Sequence, residues 1–214
     1  MDIRMFTVGP VQENAYLLRR DKDATHAVMI DPGDEAQKLL GAIDELGATL
    51  DAILLTHTHF DHVGAVAPVA RATGAEVWVP EIEKMVLADI NSFVPWPGFG
   101  PFEDWDAEHT LSGGEKLELA GMDIDVIFTP GHSPGHVTFS IPAEQVVFSG
   151  DVLFQQSVGR TDLPGGDWPT LLESIRTLVE TLPAETTVYP GHMGITTLGR
   201  ERATNPFLQE LARG

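Results

Sequence analysis

The run Thr56-His57-Thr58-His59-Phe60-Asp61-His62 places three histidines and an aspartate within six positions, directly after the apolar stretch Ala52–Leu55. Such a stretch reads as a buried strand, so the cluster leaves the end of a strand that lies inside the molecule. His57 and His59 are two apart, and in an extended segment their imidazoles point to the same side, as two ligands of one ion must. Asp61 and His62 are neighbours that diverge in an extended chain, but a bend into a helix beginning here turns both toward a second ion. Imidazole and carboxylate donors suit zinc, and also iron or manganese. A lone histidine here would be a polar loop residue; that reading does not account for four donors packed so closely behind a buried strand.

Three further segments repeat the placement, each ending an apolar strand at a polar residue preceded by glycine. Thr129-Pro130-Gly131-His132 follows Ile124–Phe128, Ser149-Gly150-Asp151 follows Val146–Phe148, and Tyr189-Pro190-Gly191-His192 follows Thr187–Val188. A glycine just before the donor lets the backbone turn sharply and come close to a site. Singly these are ordinary turns. Together they supply the two histidines and the aspartate that a two-ion site still lacks.

Those segments, in that order, resemble the metallo-β-lactamase superfamily, and the likeness extends to Asn14-Ala15-Tyr16-Leu17 and Ile30-Asp31-Pro32-Gly33. The resemblance implies an α/β fold, a single-domain αββα four-layer sandwich over residues 1–214 with the metals in a groove at the edge of its two sheets. It also implies the ligand set: His57, His59 and His132 for one divalent ion, Asp61, His62 and His192 for the other, and Asp151 bridging both. Gly159-Arg160-Thr161-Asp162 and the tail Gly199-Arg200-Glu201-Arg202 with Asn205-Pro206 look like the short bacterial glyoxalase II enzymes, the hydroxyacylglutathione hydrolases. The longer enzymes of that group use a C-terminal helical domain in binding glutathione. The chain ends soon after His192, so that domain is expected to be absent. Met193 stands where the family more often has a small or polar residue.

The implied reaction is hydrolysis of a thioester such as S-lactoylglutathione, a bridging hydroxide attacking the carbonyl carbon while Asp61 orients it and accepts its proton. No Gly-x-Ser-x-Gly elbow supports a serine nucleophile, although Ser133 follows His132. The rival within the superfamily is a persulfide dioxygenase, which also carries a Gly-Arg-Thr-Asp segment and would hold one iron on His57, His132 and Asp151. Lactone, β-lactam and phosphodiester hydrolases, or a non-catalytic binding module, are further alternatives.

Composition narrows the partners to a small-molecule substrate. With 13 Lys and Arg against 32 Asp and Glu the formal charge is −19, a field that repels phosphate backbones and anionic membranes, so neither nucleic acid nor membrane is expected. There is no cysteine, hence no thiolate ligand or nucleophile, and a cytoplasmic location is expected. The oligomeric state is left open.

Hydrophobic periodicity predicts strands near Arg4–Val8, Ala15–Arg19, Ala27–Asp31, Glu76–Val79, Glu115–Leu119, Met122–Phe128, Val137–Ile141, Val146–Ser149 and Thr187–Tyr189. It predicts helices around Leu39–Leu46, His62–Ala72, Glu81–Asp89, Trp168–Leu182 and from about Gly199. The Trp/Phe/Pro-rich stretch from Asn91 to Glu108 has no regular pattern, and its aromatics suit a substrate wall or an association surface. Asp31 and His136 suit either ligand-orienting groups or ordinary strand-end residues. Arg160 suits an anionic substrate group or an ion pair with Asp162. His26 and His109 read as surface residues, and Tyr189 as core.

Overall fold

The computed structural model describes residues 1–211. Its first half contains β1 (Asp2–Val8), β2 (Glu13–Arg19), β3 (His26–Ile30), α1 (Ala36–Glu45), β4 (Thr49–Leu54), α2 (Phe60–Val63), α3 (Val66–Thr73), β5 (Glu76–Pro80), α4 (Lys84–Leu87) and β6 (His109–Leu111). Its second half contains β7 (Lys116–Leu119), β8 (Met122–Phe128), β9 (Val137–Ile141), β10 (Val146–Gly150), β11 (Leu153–Phe154) and β12 (Ser157–Val158). It closes with α5 (Trp168–Thr181), β13 (Thr187–Pro190), β14 (Thr196–Thr197), α6 (Leu198–Thr204) and α7 (Pro206–Leu211).

A strand that is apolar on both faces must be covered on both, and β4 shows how this is met. Ile53 and Leu55 face α1 and α3 in a cluster with Leu39, Ile43, Val66 and Val69. Ala52 and Leu54 face the other way, into a core shared with Ile124, Val126, Phe139 and Phe148 of the second sheet. That sheet's far face carries Val147 and Val188 against Leu171, Ile175 and Leu178 of α5 and Leu198 of α6. Three apolar interfaces therefore separate four layers, the αββα sandwich expected. Each sheet has six strands, in the orders β1-β2-β3-β4-β5-β6 and β14-β13-β10-β9-β8-β7.

Strand direction places the site. β10 and β13 are parallel, and β9 is antiparallel to both β8 and β10, so β8, β10 and β13 all run the same way. The segments leaving their carboxyl ends meet those leaving β4. Backbone bonds tie the two sheets together there: Asn14 N–H donates to Gly191 O at 2.7 Å and Val137 N–H to Thr56 O at 2.8 Å. Tyr16 Oη donates to Pro190 O at 2.6 Å from inside the central core.

Several expectations change, and the single helix expected from about Gly199 is two, α6 and α7, divided at the extended Asn205. The helix expected over His62–Ala72 is two helices, because Ala65 leaves helical geometry (φ −104°, ψ 4°) and its N–H bonds Pro32 O at 3.0 Å. The stretch from Asn91 to Glu108 is irregular after a short 3₁₀ turn over Ile90–Phe93, but it feeds β6, whose three residues are too few to show a period. His109 is half-buried on β6, stacked over Trp78 with centroids 3.9 Å apart and 2.7 Å from Glu76. His26 is exposed, as expected, and pairs with Asp51 at 2.7 Å. Tyr189 packs on Phe148 and Tyr16 with ring centroids at 5.2 and 5.7 Å, and takes no part in the donor cluster.

The tail motif has a structural explanation. Glu201 is fully buried and accepts from Gln156 N–H, Thr196 Oγ1 and Asn205 Nδ2, while Asn205 Nδ2 also donates to Ser157 O at 3.0 Å. This knot pins α6 and α7 to the β11–β12 hairpin. Glu201→Ala leaves those donors unpaired in the interior and is expected to cost about 3 kcal/mol, lowering Tm by roughly 6–12 °C in a thermal melt.

Candidate metal centre

His57 and His59 lie in the loop after β4, and Asp61 and His62 on the one-turn helix α2. His132 leaves the loop after β8, Asp151 follows β10 directly and His192 follows β13. All seven converge in two groups. His57 Nε2 is 3.1 Å from His59 Nδ1, which is 2.8 Å from His132 Nε2. His192 Nε2 is 3.3 Å from Asp61 Oδ2, and His62 Nε2 is 3.9 Å from the same oxygen. Asp151 lies between them: its Oδ2 is 3.4 Å from His132 Nε2 and 3.6 Å from His192 Nε2, and its Oδ1 is 3.4 Å from His62 Nε2.

The outward nitrogens decide which way the lone pairs face. His62 Nδ1 donates to Asp31 Oδ2 at 3.0 Å, His132 Nδ1 to Arg160 O at 2.7 Å and His192 Nδ1 to Gln12 O at 3.2 Å. Thr56 Oγ1 gives its proton to Asp31 Oδ2 and so accepts from His57 Nδ1 at 3.0 Å. With Nδ1 protonated, each Nε2 presents a lone pair inward. Lone pairs cannot bond one another. A cation among them resolves the conflict, and His62 Nε2 and Asp151 Oδ1 have no hydrogen-bond partner and are free for one.

Electrostatics lead to the same place. Burial, with neighbouring His62, His59 and His132 adding to it, holds His57 well below the usual histidine pKa, and burial with His132 brings His59 to about 4. Both are neutral, as ligands must be. Burial opposes charge on His62, yet Asp151 and Asp61 outweigh it and raise its pKa well above the ordinary value, so its inner nitrogen attracts positive charge, and a metal ion there would take the place of a proton. Burial would likewise raise Asp151, but His62 and His192 hold it far below the carboxylate range. Against the pull of burial, the neighbouring His62 holds both Asp61 and Asp151 below the usual carboxylate pKa, and their charges meet in this one region. A buried pocket so negative favours a cation. The donor set of nitrogen and oxygen atoms fits divalent zinc, iron or manganese.

Asp31 and His136 both orient the cluster. Asp31 accepts from Thr56 N–H at 2.7 Å as well as from His62. Although Asp31, His57 and His62 also lie close together, these bonds commit the Asp31 carboxylate to holding its neighbours. His136 Nε2 accepts Asp151 N–H at 3.1 Å, which leaves its Nδ1 proton for Thr129 Oγ1 at 3.0 Å. Arg160 is paired with Asp162 through Nε and Nη2, at 2.6 and 2.7 Å, and its guanidinium rests 5.4 Å from the Trp96 ring centre.

Sequence reasoning missed Glu83 and Glu13. Glu83 is buried and accepts from Thr58 N–H, Thr58 Oγ1, Ser133 Oγ and Gly135 N–H, so it clamps the two histidine loops to each other. This also takes Ser133 out of contention as a nucleophile. Glu13 is fully buried 3.8 Å from His62 with neither oxygen hydrogen-bonded, and burial raises its pKa well above the usual value. Glu13 opens β2 beside Asn14, where a polar residue is ordinary, so no signal in the sequence marked it. For Glu83, which sits among other surface-like glutamates, there was none either.

Gly191 makes the closeness possible: a Cβ there would stand 2.3 Å from Asp151 Oδ1 and 2.7 Å from His62 Cε1. Gly191→Ala is expected to lose bound divalent metal by elemental analysis while keeping a wild-type far-UV spectrum. Asp31→Ala, which frees the His62 ring, is expected to weaken metal affinity about 10–100-fold in a chelator competition.

Comparison with known proteins places this geometry. The chain is 38% identical to hydroxyacylglutathione hydrolase GloC of Haemophilus influenzae, covering 97% of this chain and 98% of that one. The crystal structure of BLEG-1 B3 metallo-beta-lactamase superposes with a TM-score of 0.91 at 42% identity, covering 97% and 99% of the two chains. That of TTHA1623 in a di-iron-bound form does so with a TM-score of 0.78 at 44% identity, covering 96% and 100%. The family model of the metallo-beta-lactamase superfamily matches residues 8–192, from the end of β1 to the last of the converging histidines, and the chain belongs to that superfamily.

Proposed function

We propose that this chain is a two-metal hydrolase of thioesters, of the hydroxyacylglutathione hydrolase type. The observation that carries the metal part is the pair of donor groups sharing Asp151, with every outward histidine nitrogen that has a hydrogen-bond partner committed to an oxygen. The likeness to GloC supports the thioester part. His57, His59 and His132 would hold one ion and Asp61, His62 and His192 the other, with Asp151 reaching both. Bound there, divalent ions supply Lewis acidity and lower the pKa of a coordinated water. The di-iron form of TTHA1623 supports iron as well as zinc for this donor set.

The chain's own residues do the rest. Asp61 is half-buried at the cavity floor, where it orients the attacking water and takes its proton on a carboxylate oxygen. Phe60, between two donors, packs on Phe99 at 4.7 Å and on Phe102 at 5.9 Å, which fixes α2 against the aromatic loop. Asn91 holds that loop by bonding both the N–H and the carbonyl of Phe102 at 2.8 Å.

The persulfide dioxygenase reading needs only His57, His132 and Asp151. It leaves the convergence of Asp61, His62 and His192 without a purpose, which favours the hydrolase. Metal-loaded protein is expected to contain two ions per chain and to hydrolyse S-lactoylglutathione, followed optically. His57→Ala and Asp151→Ala should each lose metal and turnover together. One iron per chain with oxygen uptake on glutathione persulfide would overturn the assignment, as would chelation that leaves activity intact.

A further inference from the structure

Beside the donor cluster opens a cavity of about 1080 Å³ whose floor is His59, Asp61, His132, Asp151 and His192. Its walls are apolar to an unusual degree. Among the described residues ten large apolar side chains are exposed, and six of them, Val11, Ile82, Met85, Phe93, Trp96 and Met193, line this one cavity. Apolar side chains scattered singly over a surface need no explanation, but a contiguous patch at the mouth of a site marks what the site takes in.

The charge inventory is as informative. Arg160 is the single lysine or arginine lining the cavity, and its charge is already paired with Asp162 through Nε and Nη2. The acids along the wall are Asp61, Glu83 and Asp151, in a chain of net charge −19. A glutathione carrier brings two carboxylates against one ammonium, a net negative charge, into this field, and the one cation of the lining is already paired with Asp162.

We propose that the cavity takes a thioester with an apolar acyl chain on an uncharged thiol carrier, the chain lying along Ile82, Met85, Phe93 and Trp96. This rests on the reading of the site as a thioester hydrolase and names its substrate class. The reaction is plain hydrolysis. Water's oxygen bonds the acyl carbon, the carbon–sulfur bond breaks with its electron pair going to sulfur, one proton ends on the thiol, and the acid product leaves as a carboxylate with release of the other.

The test uses the metal-loaded protein with the N-acetylcysteamine thioesters of acetate, butanoate, hexanoate and octanoate, beside S-lactoylglutathione. Expected is a rise in kcat/KM of about threefold per methylene, so that hexanoyl, four methylenes longer, exceeds acetyl by a factor of roughly eighty and also exceeds S-lactoylglutathione. Ile82→Gln and Met85→Gln, at positions 57% and 67% exposed where the fold has little at stake, should flatten that slope. A second readout needs no turnover: the alkyl thioethers of N-acetylcysteamine should quench tryptophan fluorescence with Kd falling as the chain lengthens, and Trp96→Leu should remove the signal. A flat chain-length series with S-lactoylglutathione the best substrate overturns the inference and leaves the thioester reading standing, and a Kd independent of chain length likewise overturns it. Turnover of no thioester at all overturns both.

Discussion

Five imidazoles crowded around two carboxylates would repel, protonate or swing apart unless something outside the cluster held them. What holds four of them is a set of oxygens behind the rings: Thr56 for His57, Asp31 for His62, Arg160 O for His132 and Gln12 O for His192. Each takes the outer proton, so each inner nitrogen is left as a lone pair of known direction. The shape of the site follows from that constraint. Gly191 must lack a side chain for Asp151 and His62 to approach, and Gly159 must lack one because a Cβ would meet Asp151 O at 1.8 Å.

The apolar layers serve the same end. The central core brings the ends of β4, β8, β10 and β13 to one edge, and the donors ride on the segments just past those ends. Rigid strands set positions that loops alone would not hold, which is how a pocket of like donors stays assembled. The aromatic loop is then fastened by Phe60, whose neighbours on either side are His59 and Asp61. The wall that meets a substrate and the groups that act on it therefore share one anchor.

Much of this was legible in the sequence because the informative residues are local. His57 to His62 sit within one short run, and the glycines before His132, Asp151 and His192 advertise tight turns. The strands and long helices carry clear periods, and the family resemblance joined the segments. What was hidden is what acts across distance. Glu83 clamps residues from Thr58 to Gly135, and nothing near position 83 marks it. The break between α2 and α3 answers to Pro32 O, a partner far back in the chain, so helical periodicity ran straight through it. β6 is too short to show any pattern and exists because β5 offers an edge. Arg160 showed an acidic neighbour two residues on, and the ion pair is there, but its place against Trp96 depends on how the aromatic loop folds back.

Asn14 reaches across nearly the whole chain, its side chain donating to Pro190 O and Met193 O and its backbone to Gly191 O. Those partners are made long after Asn14, 176 positions later in the case of Pro190. During synthesis the first sheet can form while β13 is still inside the ribosome, yet His192 has no seat until Asn14 and Tyr16 find it. A nascent chain thus carries most of its donors early and completes the set only once β13 has emerged, so metal capture by the assembled site reports that both halves have met.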